Sequence, residues 1–344
     1  MTAIPWLCGQ GLSGRRSWRW RAGSRRGFHA GDRESRAGCA VNLAVQIFYI
    51  MSYLYMFITS DLHLGSAFSI WPEGFTGSSG TILQPNKGQK YLNNEWDGIY
   101  KEVKEITGGR LDVFCLVGDA VQGKGAKQEG EFIIEPNMAY QGRAALIKIE
   151  PFVDMASRGQ RYVFRGSRYH VGSQNETEEW IAYTIGAIPD DFGRYCWMWL
   201  PDLDVGGQCF DISHHQSATI INRSMPLERE RRFNNNMDDM KRRADAIIRG
   251  HAHVQVELRV DGELQIGLLP MQMQTDYAQE SKFPNRLLSR YLGACLLRIN
   301  TNAKTYTEPI EVIWLRFKHP PLSRRTYERS NEPWRMDLRS LISQ

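Results

Sequence analysis

Past residue 50 the chain alternates short apolar runs with stretches of helical periodicity. The pattern predicts strands at 53–59, 111–117, 161–165, 208–213, 244–249, 254–260, 264–269, 293–299 and 310–317, several of them bounded by Gly or Asp. Helices are expected over 93–106, 137–157, 178–185 and 235–246, the last overlapping a strand at its end. Strand and helix alternate early and strands cluster late, which points to an α/β core with a mixed sheet completed by an antiparallel C-terminal half. Residues 66–90 are rich in Gly, Ser and Pro and read as a long loop, of the kind that rims a substrate site.

Composition narrows the class. Of 344 residues, 42% are hydrophobic and 24% charged, which excludes a disordered or fibrous chain. The net charge of +5 suggests a nucleic-acid or acidic-membrane partner until its location is considered. Residues 1–50 hold eight arginines against Asp32 and Glu34, a net +6, so the remaining 294 residues carry net −1. This leader, rich in Arg, Ser, Gly and Trp, is expected to be disordered. A transit peptide and a start assigned too far upstream, with Met51 as the true start, are the other readings, and the last is preferred. The folded domain is then expected over 51–315, followed by a basic tail at 316–344 in which Tyr327 and Trp334 stand among Lys and Arg. Such a tail is either solvated or a nucleic-acid groove.

Ala40 to Ile58 is uncharged and long enough to score as a membrane span. If 53–59 form a strand, too few residues remain for a helix to cross a bilayer, so no membrane span is expected. Six cysteines show no CxxC pair, and Cys115 lies in an apolar run as a buried thiol would. A reducing cytoplasm fits this usage.

The chemistry lies where acids and histidines fall relative to strands. The first strand ends in Ser60-Asp61-Leu62-His63, so Asp61 and His63 stand two apart, a metal-ligand spacing if the chain there is extended. The second ends in Gly118-Asp119, the third in Gly166-Ser167-Arg168-Tyr169-His170, the fourth in His214-His215 and the fifth in Gly250-His251-Ala252-His253. The crevice outside strand carboxyl ends is the usual ligand site of α/β sheets. Any one of these segments alone is more often surface decoration. Together they take six of the chain's eight histidines. Asp mixed with imidazole suits a divalent metal such as Mn, Fe or Zn. Gly123-Lys124-Gly125-Ala126-Lys127 lacks P-loop spacing and reads as a loop.

The order Asp-x-His, Gly-Asp, a Gly-containing turn with His, an isolated His and Gly-His-x-His resembles the calcineurin-like metallophosphoesterase family, over about Phe57 to His253. The resemblance implies a four-layer α-β-β-α sandwich with mixed sheets and a dinuclear metal centre at the strand ends. It implies one ion on Asp61, His63 and His253, Asp119 as the bridge, and a second ion on His214 and His251, with His215 the alternative to His214. The family's third motif is Gly-Asn-His followed by an acid, and here Asn is missing. Ser167 would supply the neutral oxygen in its place and His170, two residues late, would be the general acid. Arg165 and Arg168 are either phosphate partners or solvated. The altered motif is similar to a phage-type branch of the family. The activity implied is phosphoester hydrolysis by direct attack of metal-bound hydroxide, on a phosphodiester or nucleic acid first and a phosphomonoester second. A metal-binding scaffold that has lost catalysis, kept within a viral or nucleoprotein assembly, is the rival reading.

Overall fold

A computed structural model describes residues 53–124, 130, 132–172, 175–215, 224–234, 243–273, 290–303 and 308–320. The arginine-rich leader, most of the glycine-lysine loop, and the basic segment from 321 onward lie outside the described residues.

Among the described residues, eleven strands form two mixed sheets. The first has the order β11-β10-β1-β2-β3-β4, from β1 (Tyr53–Thr59), β2 (Val113–Val117), β3 (Gln160–Phe164), β4 (Cys196–Trp197), β10 (Tyr291–Asn300) and β11 (Ile310–Lys318). The second has the order β5-β6-β7-β9-β8, from β5 (Leu200–Val205), β6 (Gln208–Ser213), β7 (Ala246–Arg249), β8 (Val256–Val260) and β9 (Glu263–Gly267). In the first sheet β1, β2, β3 and β4 run parallel, and β10 and β11 join antiparallel at the β1 edge. In the second β6, β7 and β9 run parallel, between antiparallel β5 and β8. The later half is therefore not purely antiparallel: β9 pairs with β7, which leaves β8 as an outer hairpin arm.

Side chains alternate between faces along each strand, and here both faces are buried. Met56 and Ile58 of β1 pack between the sheets with Val113, Cys115, Phe164, Phe210, Ile248 and Ile266. Tyr55 and Phe57 point the other way, against α1 (Lys87–Thr107), α2 (Met138–Met155) and α4 (Glu176–Thr184). There Phe57 stacks on Phe152 with ring centroids 4.3 Å apart. Beyond the second sheet, α5 (Met225–Asn234) lays Leu227 over Cys209 and Ile247. Helices, sheet, sheet and helix make a four-layer α-β-β-α sandwich.

Helix α1 starts earlier than its apolar pattern does, because Asn86 and Gln89 close a capping box: Gln89 N–H donates to Asn86 Oδ1 (2.9 Å) and Asn86 N–H to Gln89 Oε1 (3.1 Å). The helix expected over 235–246 is not found at its end, where Ala246 opens β7, and 235–242 lie outside the described residues. The long loop is pinned rather than open, with Ile70 and Trp71 fully buried in the helix-side core. β11 carries on to Lys318, so the first three residues of the basic segment belong to the sheet. Tyr53 to Ile58 form a strand, and among the described residues no helix is long and apolar enough to cross a membrane. Cys115, Cys196, Cys209 and Cys295 are buried free thiols.

Candidate metal centre

The five chain segments that leave β1, β2, β3, β6 and β7 converge at one end of the sandwich. Asp61 and His63 are not extended: their φ values are 54° and 50°, and Asp119 (49°), His251 (65°) and His253 (53°) share this left-handed conformation. The chain thus coils tightly past the ends of β1, β2 and β7, and the side chains there meet because the backbone bends, not because residues two apart share a strand face. Left-handed non-glycine backbone costs on the order of 1 kcal/mol or more per residue and clusters at functional sites. Close packing adds its own demand. A Cβ at Gly166 would overlap Asp119, and one at Gly250 would overlap the Ser60 hydroxyl.

Asp61 is fully buried. Its Oδ1 accepts from His253 Nε2–H at 3.0 Å and lies 3.7 Å from His63 Nε2, and the two imidazole Nε2 atoms are 3.1 Å apart. Its Oδ2 accepts the His251 N–H (3.1 Å) and the Ser60 hydroxyl. Asp119 Oδ2 lies 3.1 Å from His214 Nε2, 3.9 Å from His251 Nδ1 and 4.0 Å from His170 Nε2. Ser167 N–H donates to Asp119 Oδ1 (2.7 Å), and its hydroxyl lies 3.2 Å from both carboxylate oxygens.

Among the described residues, three sets of ligand atoms converge closely enough to hold an ion: Asp61, His63 and His253; Asp119, His214 and His251; and His63, Asp119 and His170. The first two share no residue, and the third links them. His215 is exposed and Arg165 donates to the Gly172 carbonyl (3.1 Å); His214 is wholly buried against Asp119. Arg168 is exposed at the start of the one-turn helix α3 (Arg168–Val171), which carries His170 inward.

The electrostatics ask for a cation. Burial alone would raise the pKa of Asp61, but the charges of His253 and His214 and hydrogen bonds from His253 and His63 hold it well below the usual carboxylate range. Asp119 is likewise lowered, burial being outweighed by His214 and by hydrogen bonds from His214 and His251. Burial would lower His214, yet Asp119 and Asp61 push it up to about 10. Its Nδ1–H donates to the Val117 carbonyl (2.8 Å), so Nε2 faces a carboxylate across 3.1 Å. Only a proton or a metal ion between them makes that contact attractive. Burial lowers His63, whose Nδ1 is buried without a hydrogen-bond partner among the described residues. Burial, then His63, push His170 down to about 4, leaving Nε2 an acceptor while Nδ1–H donates to the Gln122 carbonyl (2.7 Å). The residues therefore fit a bound divalent metal.

Two supports escaped the sequence reading. Glu178, fully buried in α4, accepts Ala120 N–H (2.9 Å) and Gly166 N–H (2.7 Å), tying together the turns that carry Asp119 and Ser167. Burial and then the Asp119 charge push its carboxyl up to about 7. It stands three residues after the α4 N-cap, Asn175, where an acid reads as a capping-box partner, but no side-chain cap bond forms and it turns inward instead. Gln141, fully buried in α2, clamps Gly123 with two 2.9 Å hydrogen bonds, one to its N–H and one to its carbonyl, and so fixes the turn on which Gln122 holds His170.

No protein-family model and no curated protein matches the chain. Among solved structures the chain is similar to wild-type Vps29 from Entamoeba histolytica complexed with zinc, at 11% identity over 76% of this chain and 99% of that one, with a TM-score of 0.34. It is also similar to an archaeal phosphodiesterase, at 14% identity over 76% and 99% with a TM-score of 0.37. A third likeness is a predicted phosphoesterase from Streptococcus pneumoniae, at 10% identity over 76% and 98% with a TM-score of 0.30. The layers and the site rest on the strand order and distances given above, not on these likenesses.

Proposed function

We propose that this chain is a metallophosphoesterase of the calcineurin-like type that holds two divalent ions, Mn, Fe or Zn, and hydrolyses a phosphodiester, with nucleic acid the first candidate. The observation that supports it most is the pair of disjoint Asp-His-His sets in one crevice, joined through His63 and Asp119. Asp61, His63 and His253 would hold one ion and His214 and His251 the other, with Asp119, which groups with His214 and His251 and also with His63 and His170, as the shared ligand. When bound, two such ions withdraw charge from phosphoryl oxygens and acidify water near neutral pH.

The protein's own part is positioning and proton handling. His214 and His170 each spend Nδ1–H on a backbone carbonyl, which aims Nε2 into the crevice. His170 is neutral in the free site. A phosphate anion beside it favours its protonated form, so the proton arrives with substrate and passes from Nε2 to the departing alkoxide. Ser167 donates to Asp119 and keeps that carboxylate's orientation. Four buried free thiols support a reducing, cytoplasmic setting.

The test is to purify the full chain, count Mn and Zn per chain, and assay bis-nitrophenyl phosphate against nitrophenyl phosphate, with Asp119→Asn as control. Two ions and diester turnover that Asp119→Asn abolishes support the reading; no turnover of either ester sinks it. One observation favours the scaffold alternative: the Ser167 hydroxyl, the stand-in for an amide ligand, is engaged by Asp119. Under that reading metal binds and neither ester turns over. Preference for the monoester would instead make the chain a phosphomonoesterase.

A further inference from the structure

The second sheet carries a buried ion pair just behind the candidate ligands. Arg249, the last residue of β7, and Asp211, in the adjacent strand β6, leave only 7% and 4% of their side chains exposed, with Arg249 Nη2 2.7 Å from Asp211 Oδ1. Arg249 Nη1–H donates to the Asp211 carbonyl (2.9 Å) and Nε–H to Glu230 of α5 (2.6 Å). Trp199 Nε1–H donates to the same Asp211 Oδ1 (2.9 Å). His214 follows Asp211 by three residues, and His251 follows Arg249 by two. Removing one partner of such a pair is costly, but an apolar pair of similar size often serves the fold as well. Stability alone therefore does not call for a charge here.

β6 and β7 run parallel, with Asp211 opposite Ile247 and Ser213 opposite Arg249. Apolar side chains fix that register only weakly. Phe210, Ile212, Ala246 and Ile248 pack between the sheets while Cys209 and Ile247 pack with Leu227 of α5, so either face of β7 meets an apolar layer. Arg249 removes the degeneracy. A slip of one residue would turn its guanidinium into the layer between the sheets, and a slip of two would carry it about 7 Å from Asp211, twice the strand rise. Either slip also moves His251 along the sheet by about 3.3 Å or more. The ligand atoms of Asp119, His214 and His251 lie within 4.8 Å of one another, which leaves no room for that. We propose that the Arg249–Asp211 pair sets the register of β7 on β6 and so holds His251 beside His214, which makes both members positioning residues for the second ion. The consequence for the ion rests on the metal reading above; the register itself does not.

The experiment compares the full chain with Arg249→Met and with Arg249→Met/Asp211→Val by urea unfolding in EDTA, by competitive zinc titration and by metal-free crystals. Arg249→Met takes the guanidinium from a buried carboxylate and should unfold at lower urea. The double variant should regain most of that loss yet bind one of its zinc ions about tenfold more weakly. In its crystals the His214 and His251 ring centroids should lie further apart than 5.2 Å. A purely structural pair predicts that stability and zinc affinity recover together. That result, wild-type histidine spacing in the double variant, or a double variant that does not fold would overturn the proposal. If the wild type takes up no zinc while the histidines of the double variant are displaced, register control stands and the metal reading falls. If both chains bind two ions equally tightly, the reverse holds.

Discussion

Removing the Glu178 carboxylate should be among the most damaging single changes outside the metal ligands themselves. Both of its oxygens are committed, to Ala120 N–H at 2.9 Å and Gly166 N–H at 2.7 Å, and the side chain is fully buried. Glu178→Ala strands two buried donors at about 1–3 kcal/mol each, or roughly 2–6 kcal/mol in all, against a typical domain stability of about 5–15 kcal/mol. Glu178→Gln keeps one acceptor and sets an amide N–H₂ against the other donor, so it should cost about half as much. The pH dependence separates this from ordinary loss of packing. The carboxyl lies at about 7 in the folded chain, against 4.5 for an ordinary glutamate, so between these values the folded state holds a proton that the unfolded state releases. Its contribution is full below 4.5 and is lost as pH rises through 7, by about 3 kcal/mol in total. Urea unfolding in EDTA, followed by circular dichroism from pH 4.5 to 7.5, reads this directly. The stability gap between wild type and Glu178→Gln should shrink as pH rises. A Glu178→Ala variant within about 0.5 kcal/mol of wild type, or a gap independent of pH, would refute the reasoning.

Further consequences can be checked separately. Because His214 is protonated up to about 10, a metal ion must displace its proton, so Zn affinity should rise about tenfold per pH unit near neutrality and each chain should release protons into a weakly buffered indicator solution. Pushing a methyl group against the Ser60 hydroxyl, Gly250→Ala should cost about 1–3 kcal/mol in thermal or urea unfolding and lower the metal count. Gln141→Ala frees the turn that holds His170, so it should slow esters with poor leaving groups more than nitrophenyl esters, as His170→Ala should; equal slowing on both would remove His170 from the acid role.

All nine strands expected from apolar runs are present within a few residues, because both faces of each central strand are buried and the runs are continuous. The two missed strands sit at sheet edges. β4 is two residues long, and in β5 Pro201, Asp202 and Asp204 interrupt the apolar positions that only one face requires. Helix α5 was illegible for a related reason, since among its residues only Leu227 joins a hydrophobic core. The proposed ligand residues were readable as candidates because each stands within a few positions of a strand end. What no local pattern encodes is the left-handed backbone of Asp61, His63, Asp119, His251 and His253, in the turns after β1, β2 and β7. Glu178 and Gln141 were hidden for the opposite reason: each looks like solvated helix surface, and only the long-range fold reveals that it is buried against backbone donors and acceptors.

The claim on which the account turns is that two ions lie in this crevice. Crystals of the full chain grown with Mn and recorded near its absorption edge decide it by anomalous difference density. Two peaks are expected, one among Asp61, His63 and His253 and the other among Asp119, His214 and His251, with Asp119 between them. A single peak centred on His63, Asp119 and His170, or no peak at any of these residues, would contradict it.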